Sequence, residues 1–320
     1  MTRKIGNYLL QSKYAISVVV LVLVMLAATL LSSSFLTGDN LITVLRQASV
    51  LFILSSGLTA AVITGGIDLS VNNTAALVGC TVAQLLLLNV PIPLVVVVGL
   101  LVGLAVGVLN GLLVGVLRLP PFVATYGTNL LVSGISVIVM QGKVIYDLPR
   151  SFTPIGVGYV GIIPIPVIIA LVLVLALYFL LQKTTLGRNI YMLGSNPYAA
   201  KYSAAKNVLV TVQAYVICGL TAAIGGIVLT ARLNAADANM GNSYGLQIVA
   251  AVVMGGTSLL GGEGGIFGTV IGALVLTIIM NVINVVGVSS DLQSMAVGIV
   301  IILMVWLDIF TRSKREKLSR

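Results

Sequence analysis

Residues 183–207, KTTLGRNIYMLGSNPYAAKYSAAKN, are the longest polar stretch in a chain whose aliphatic residues otherwise run almost without pause. How this stretch is read decides how the rest of the chain is arranged. Both of its flanks are apolar and long. If those flanks are membrane spans, a basic segment between them belongs on the side of the bilayer that collects lysine and arginine.

The composition requires that setting. Of 320 residues, 59% are hydrophobic and only 8% are charged, with a mean hydropathy of +1.16. A soluble domain carries charge at about a quarter of its positions, and so few charged side chains do not wet the surface of a globule. The chain is therefore read as an all-α polytopic membrane protein built from helices of about 20 apolar residues. No polar segment is long enough to be a second domain, so residues 1–320 form a single transmembrane domain. The net charge of +9 does not point to nucleic acid, because the basic residues gather at the chain ends and in the 183–207 loop. Cys80 and Cys218 fall inside apolar runs and there is no histidine. Buried thiols of that kind are inert, and without histidine the usual metal ligand and general base are missing. No metal, cofactor or catalytic residue is expected.

Apolar segments run from about 14 to 31 and then near 44–64, 72–89, 93–116, 122–140, 162–181, 208–231, 244–254, 266–286 and 292–310. The first is followed by Ser32-Ser33-Ser34, which imitates a signal-peptide cleavage site; its length and the spans behind it favour an uncleaved helix. That makes ten segments. The eighth is short, ending at Gly255-Gly256, and is read as a half-span or broken helix. Ten crossings put both termini on one side. With the N-terminus cytoplasmic, 13 of the 17 basic residues fall inside and only Arg46, Lys143, Arg150 and Arg232 fall outside, as the positive-inside rule demands. The 183–207 loop and the basic tail 311–320 are then cytoplasmic. The pentapeptide GLTAA occurs at 57–61 and again at 219–223, each followed closely by Gly-Gly-Ile. Five crossings apart, the copies are expected to run in opposite directions, as inverted repeats do.

All eight acidic residues lie at segment ends, in loops or in the tail, and no basic residue is mid-span. Ion-coupled transporters place such groups near the midplane, so coupling to protons or sodium is not expected. There is no phosphate-binding G-x-x-x-x-G-K-[ST] stretch either. Any energy for uphill movement must come from another subunit. The loop offers a place to receive it. Gly194-Ser195-Asn196-Pro197 reads as a turn that starts a helix, with Asn196 as cap and Pro197 at the first helical position. The helix to about Lys206 carries Ala199, Ala200, Ser203 and Ala204 along one side, with Tyr198 and Tyr202 an i,i+4 pair. Small residues with tyrosines suit a docking element. An interfacial helix lying on headgroups is the alternative, weakened by an apolar face of alanine.

At this point LGRNIYMLGSNPYAAKYSA resembles the coupling segment of permease subunits of binding-protein-dependent ABC sugar importers, the ribose/xylose/galactose type. ITGGIDLSV at 63–71, PPFVATYGT at 120–128 and IVAAVVMGGTSLLGGEGGIFGTVIGALV at 248–275 agree with the same family, in order along most of the chain. The resemblance implies a vitamin-B12-type permease fold with ten spans in a bacterial inner membrane. It also implies two permease subunits, identical or paralogous, around one pore, two cytoplasmic ATPase subunits and an extracytoplasmic sugar-binding protein. Gly194, Asn196, Pro197, Ala199, Ala200 and Ser203 match the segment that meets the ATPase. Ala204-Ala205 stand where Gly-Ile is usual, and Gly245 and Gln247 in SYGLQ stand where relatives carry carboxylates. Nucleosides or branched-chain amino acids are the alternative cargo for this architecture, and a stand-alone facilitator is the alternative of another class.

Other residues are gate or pore candidates. Asp68, in GGIDLS, is read as a cap for a helix beginning near Leu69, with Gly65-Gly66 permitting the turn; a substrate contact is the competing role. Gly255 and Gly256 open a glycine-rich stretch suited to a hinge, a cavity wall or close packing. Asn110, Asn281 and Asn284 are amides within spans, fit either for sugar hydroxyls or for bonds between helices. The 141–161 segment is either a contact for the binding protein or a solvated loop.

Overall fold

The computed structural model describes residues 15–202 and 206–287, with isolated positions between 292 and 306. In chain order the elements are α1 (Ala15–Leu31), α2 (Gly38–Ile63), α3 (Val71–Leu87), α4 (Ile92–Gly115) and α5 (Pro121–Met140). A short excursion follows: β1 (Ile145–Tyr146), the single turn α6 (Pro154–Val157), β2 (Tyr159–Val160) and β3 (Ile163–Pro164). Then come α7 (Ile165–Lys183), α8 (Thr185–Ser195), α9 (Pro197–Tyr202) and α10 (Asn207–Leu233). The described chain closes with β4 (Ala235–Ala236), a 3-10 turn (Asn242–Tyr244), α11 (Gly245–Met254) and α12 (Ile266–Val285). Ser203, the first 14 residues, the tail 311–320 and nearly all of the expected span at 292–310 lie outside the described residues.

Among the described residues six helices are long and apolar enough to cross a membrane: α2, α4, α5, α7, α10 and α12. α1, α3 and α11 are shorter apolar helices. The ten residues of α11 rise about 15 Å, half the hydrocarbon thickness, and α11 stops at the glycines where the sequence breaks. Helix starts follow proline. Pro93, Pro121 and Pro166 occupy the first turns of α4, α5 and α7, where a missing N–H removes no hydrogen bond.

The centre of the bundle is α10, which packs most extensively on α4, α2 and α3. Its seam with α4 is made by Gly103, Gly107, Gly111 and Gly115, spaced four apart on one face. A methyl group on Gly103 would strike the Gly219 carbonyl, and one on Gly107 would come within 2.6 Å of the Tyr215 carbonyl. On Gly111 it would approach Val212 Cα to 2.8 Å. Backbone therefore lies against backbone, with only glycine fitting between. The partners on α10 fall in number as those on α4 rise, so the two helices are antiparallel.

α2 also runs antiparallel to α10. Leu54 meets Gly225, a Cβ on Gly57 would strike Thr221 and lie 2.7 Å from Cys218 Cα, and Gly66 faces the Tyr215 hydroxyl. The two GLTAA copies thus lie in antiparallel helices in direct contact, their first residues buried at the molecular centre. Cys80 and Cys218 are both free and buried.

The two ends of the bundle differ. At one end, Gly262 N–H donates to the Ile63 carbonyl at 2.9 Å, joining the end of α2 to the connection before α12 and to the 183–207 stretch. At the other, Asn40 and Asn281 exchange amide hydrogen bonds of 3.0 and 2.8 Å between α2 and α12. That second end is roofed by the 141–164 segment. β1 pairs antiparallel with β4, Ile145 opposite Ala236. Leu148 N–H donates to Asn234 Oδ1 at 3.0 Å. Arg46 donates to the Val157 carbonyl at 2.9 Å and stacks 4.5 Å from the Tyr159 ring centre, a cation–π contact. With Phe152 fully buried, this segment is anchored to the bundle while most of its residues remain exposed.

Candidate functional site

The polar stretch at 183–207 forms two helices where a turn and a single helix were expected. Thr184 opens α8, its hydroxyl accepting from Gly187 N–H at 3.2 Å. α8 continues through Gly194 and Ser195, so these residues end a helix instead of forming a turn. Asn196 alone links α8 to α9, in extended conformation. Its Oδ1 accepts from Ala199 N–H at 2.9 Å, satisfying one of the free donors at the start of α9.

The side chains of α9 divide sharply. Tyr198 is 81% exposed and Tyr202 88%, while Ala200 is fully buried. Asn196, Pro197 and Ala199 are exposed. Ala200 therefore faces the body of the protein and holds α9 down; it is not on the outer surface with Ala199. Gly194 is also turned inward. A methyl group there would strike the Ile63 carbonyl and come within 2.5 Å of Gly262 N. The outward surface consists of Asn196, Pro197, Tyr198, Ala199 and Tyr202.

Gly194 is the point where three segments meet. The second is the end of α2 with the linker to α3. The third is the connection 255–265, a run of tight turns in which Gly256, Gly261, Gly262 and Gly264 have positive φ, a conformation costly for any residue with a Cβ. A Cβ on Gly261 would come within 2.9 Å of Gly65 N, and Gly65 itself has φ +83. Tyr191 on α8 donates its hydroxyl to the Gly264 carbonyl at 3.0 Å. Gly255 serves differently, pressed on the backbone of Gly268 and Thr269. The glycine-rich block thus supplies both close packing and turn geometry.

From Gly65 the linker leads into a buried polar knot. Asp68 is 3% exposed. Its Oδ1 accepts from Ser70 N–H at 2.9 Å and Ser70 Oγ at 2.7 Å. Asn110 on α4 donates to both carboxylate oxygens, at 3.2 and 3.3 Å, and to Ser70 Oγ at 2.8 Å. Asp68 therefore does not cap α3 directly. α3 begins at Val71 after Ser70, and Asp68 closes the turn ahead of it while tying that turn to α4. Burial pushes the Asp68 carboxyl above its ordinary value, opposed by the bonds from Ser70 and Asn110. The neighbouring backbone is pinned as well. Leu69 N–H donates to Thr125 Oγ1 on α5 at 3.1 Å. Tyr215 on α10 donates to the Ile67 carbonyl at 3.3 Å.

Two of the three amides singled out in the sequence are used between segments of the bundle. Asn110 is fully buried in the knot and Asn281 is paired with Asn40; Asn284 is exposed near the end of α12. Asn72, Asn73 and Asn129, which the sequence reading passed over, lie together within the bundle, Asn73 Nδ2 donating to the Asn129 carbonyl at 3.3 Å. The signal was the Asn72-Asn73 pair itself, in an otherwise apolar segment. Among the described residues no group of histidine, cysteine, aspartate or glutamate is arranged to hold a metal.

An exposed, capped helix stands on a three-way glycine joint, beside a pinned linker, in a bundle with six helices long and apolar enough to cross a membrane among the described residues. Residues 40–305 match the family described as branched-chain amino acid transport system / permease component, and the chain belongs to that family of transport permeases. Among curated proteins it is 34% identical to the ribose import permease protein RbsC of Haemophilus influenzae, over 98% of this chain and 97% of that one. It is 38% identical to RbsC of Bacillus subtilis, over 90% of each chain. The D-allose transport system permease protein AlsC of Escherichia coli is 36% identical, over 92% of this chain and 91% of that one. No solved structure matches.

Proposed function

We propose that this chain is the pore subunit of an ATP-driven importer for a monosaccharide or related solute in a bacterial inner membrane. It works with separate cytoplasmic ATPase subunits, an extracytoplasmic binding protein and a second permease subunit, and it has no catalytic residues of its own. The observation that carries the reading is α9: a capped helix with two outward tyrosines, fixed through Ala200 and Gly194 to the linker and glycine turns that join the spans. A force applied to α9 is delivered at Gly194 to the end of α2 and to the connection before α12 together. The ATPases supply that force on closing, and the pore alternates between outward and inward access. The ribose and allose permeases, similar over nearly the whole chain, support the sugar class. Ten spans, a vitamin-B12-type fold and both termini in the cytoplasm complete the proposal; the alternation of ends among the described helices supports it.

The branched-chain amino acid wording of the family description favours a second cargo. Uptake into proteoliposomes holding the full complex, with ATP inside and the binding protein outside, separates the readings. Import of D-ribose or D-allose without import of L-leucine is expected. Import of leucine alone, or uptake independent of ATP, would overturn the sugar importer.

A further inference from the structure

Between β4 and α11 the chain leaves the roofed end and re-enters the bundle with no regular structure beyond the single 3-10 turn Asn242–Tyr244. Met240 packs against the positions of Gly79 and Thr230, and Gly241 presses on the Asn72 carbonyl. Asn129 stands eight residues into α5, about 12 Å from the helix start, and is joined to Asn73. The segment 239–245 therefore lies near the middle of the spans. At that depth, irregular backbone is tolerated only where it is buried in protein or lines a water-filled cavity.

The side chains here are neutral and polar. Asn242 and Ser243 are exposed, and Asn242 Nδ2 donates to Asn239 Oδ1 at 3.2 Å. Gly245 lies beside the buried Asn72 amide, which donates to Asn73 Oδ1 at 3.3 Å; a Cβ on Gly245 would lie 3.5 Å from Asn72 Nδ2. Asn129 Oδ1 and Thr74 Oγ1 are buried without a hydrogen-bond partner, which is costly unless water or a ligand meets them. Exposed amides facing lipid would be costlier still.

From these contacts we infer that the exposed Asn242 and Ser243 line a water-accessible mid-membrane subsite for a neutral polyhydroxylated solute, with the buried Asn72 amide and the buried Oδ1 of Asn129 behind them. Amides donate and accept in turn, matching hydroxyl groups without net charge. The inference rests on the proposed function for its cargo, but its geometry is tested separately. Cysteine is placed at Asn242, Ser243 or Leu171, the last an exposed position on α7, in the full chain with its buried native cysteines. A charged methanethiosulfonate reagent should label the first two at least tenfold faster than Leu171→Cys, and Gly245→Leu should slow that labelling. Labelling no faster than at Leu171→Cys would overturn the subsite whatever the cargo. In the reconstituted complex Asn129→Ala should cut D-ribose uptake at least tenfold while leaving binding-protein-stimulated ATP hydrolysis unchanged; unchanged uptake would also overturn it. Failure of the unaltered chain to import sugar tells against the proposed function instead, and leaves the labelling result standing.

Discussion

Asp68 has a buried carboxylate whose hydrogen-bond donors are all neutral: Ser70 through N–H and hydroxyl, and Asn110 from the neighbouring helix. Its stability in that position depends on the donors, because an unsatisfied buried charge costs more than an unsatisfied neutral group. Asn110→Leu should lower unfolding stability by about 1–3 kcal/mol, read as a drop in thermal midpoint of the detergent-solubilised protein. Tyr215→Phe removes only the 3.3 Å bond to the Ile67 carbonyl and should cost at most about 1 kcal/mol. The importance of Asp68 was legible in its sequence setting, between turn glycines and a helix start. Its partner was not. Asn110 lies 42 positions further on, and nothing local in either segment reveals that their spans bring the two together.

At the scale of elements, α9 and the α4–α10 seam set different tests. Ala200 and Ala199 are adjacent alanines with opposite fates, one fully buried and the other exposed. Ala200→Trp should displace α9 and lower the thermal midpoint. Ala199→Trp should leave the midpoint unchanged and weaken co-purification of the ATPase, as should Tyr198→Ala with Tyr202→Ala. The helical period marked this segment as a surface element, but the direction of each side chain depended on how α8 delivers it to the bundle. The α4–α10 seam is stricter. Gly107→Val places two methyl groups against the Tyr215 carbonyl and Val216 Cα. It should reduce folded yield and cost about 1–3 kcal/mol or more, the usual overpacking penalty. The period-four glycines at 99, 103, 107, 111 and 115 are plain in the sequence, yet they announce only that some helix comes close.

For the whole molecule, the arrangement of ends yields the topology prediction. Thiol labelling of Tyr202→Cys should occur from the cytoplasmic side alone, and of Lys143→Cys from the opposite side alone; the reverse pattern would invert the proposed orientation. The sequence by itself determined the membrane class, the approximate bounds of the nine apolar helices among the described residues, the break after Met254 and the opposed GLTAA copies. Hydropathy and proline or glycine at helix ends are local properties, so they survive without knowledge of the fold. The tertiary structure decided which polar groups are spent inside and which remain available. Asn110 and Asn281 are taken up by bonds between helices, Ala200 and Gly194 by packing, and Asn242 is left open at depth. Those outcomes depend on contacts between segments tens to hundreds of residues apart, where hydrogen bonding and close packing are settled by which helix stands beside which.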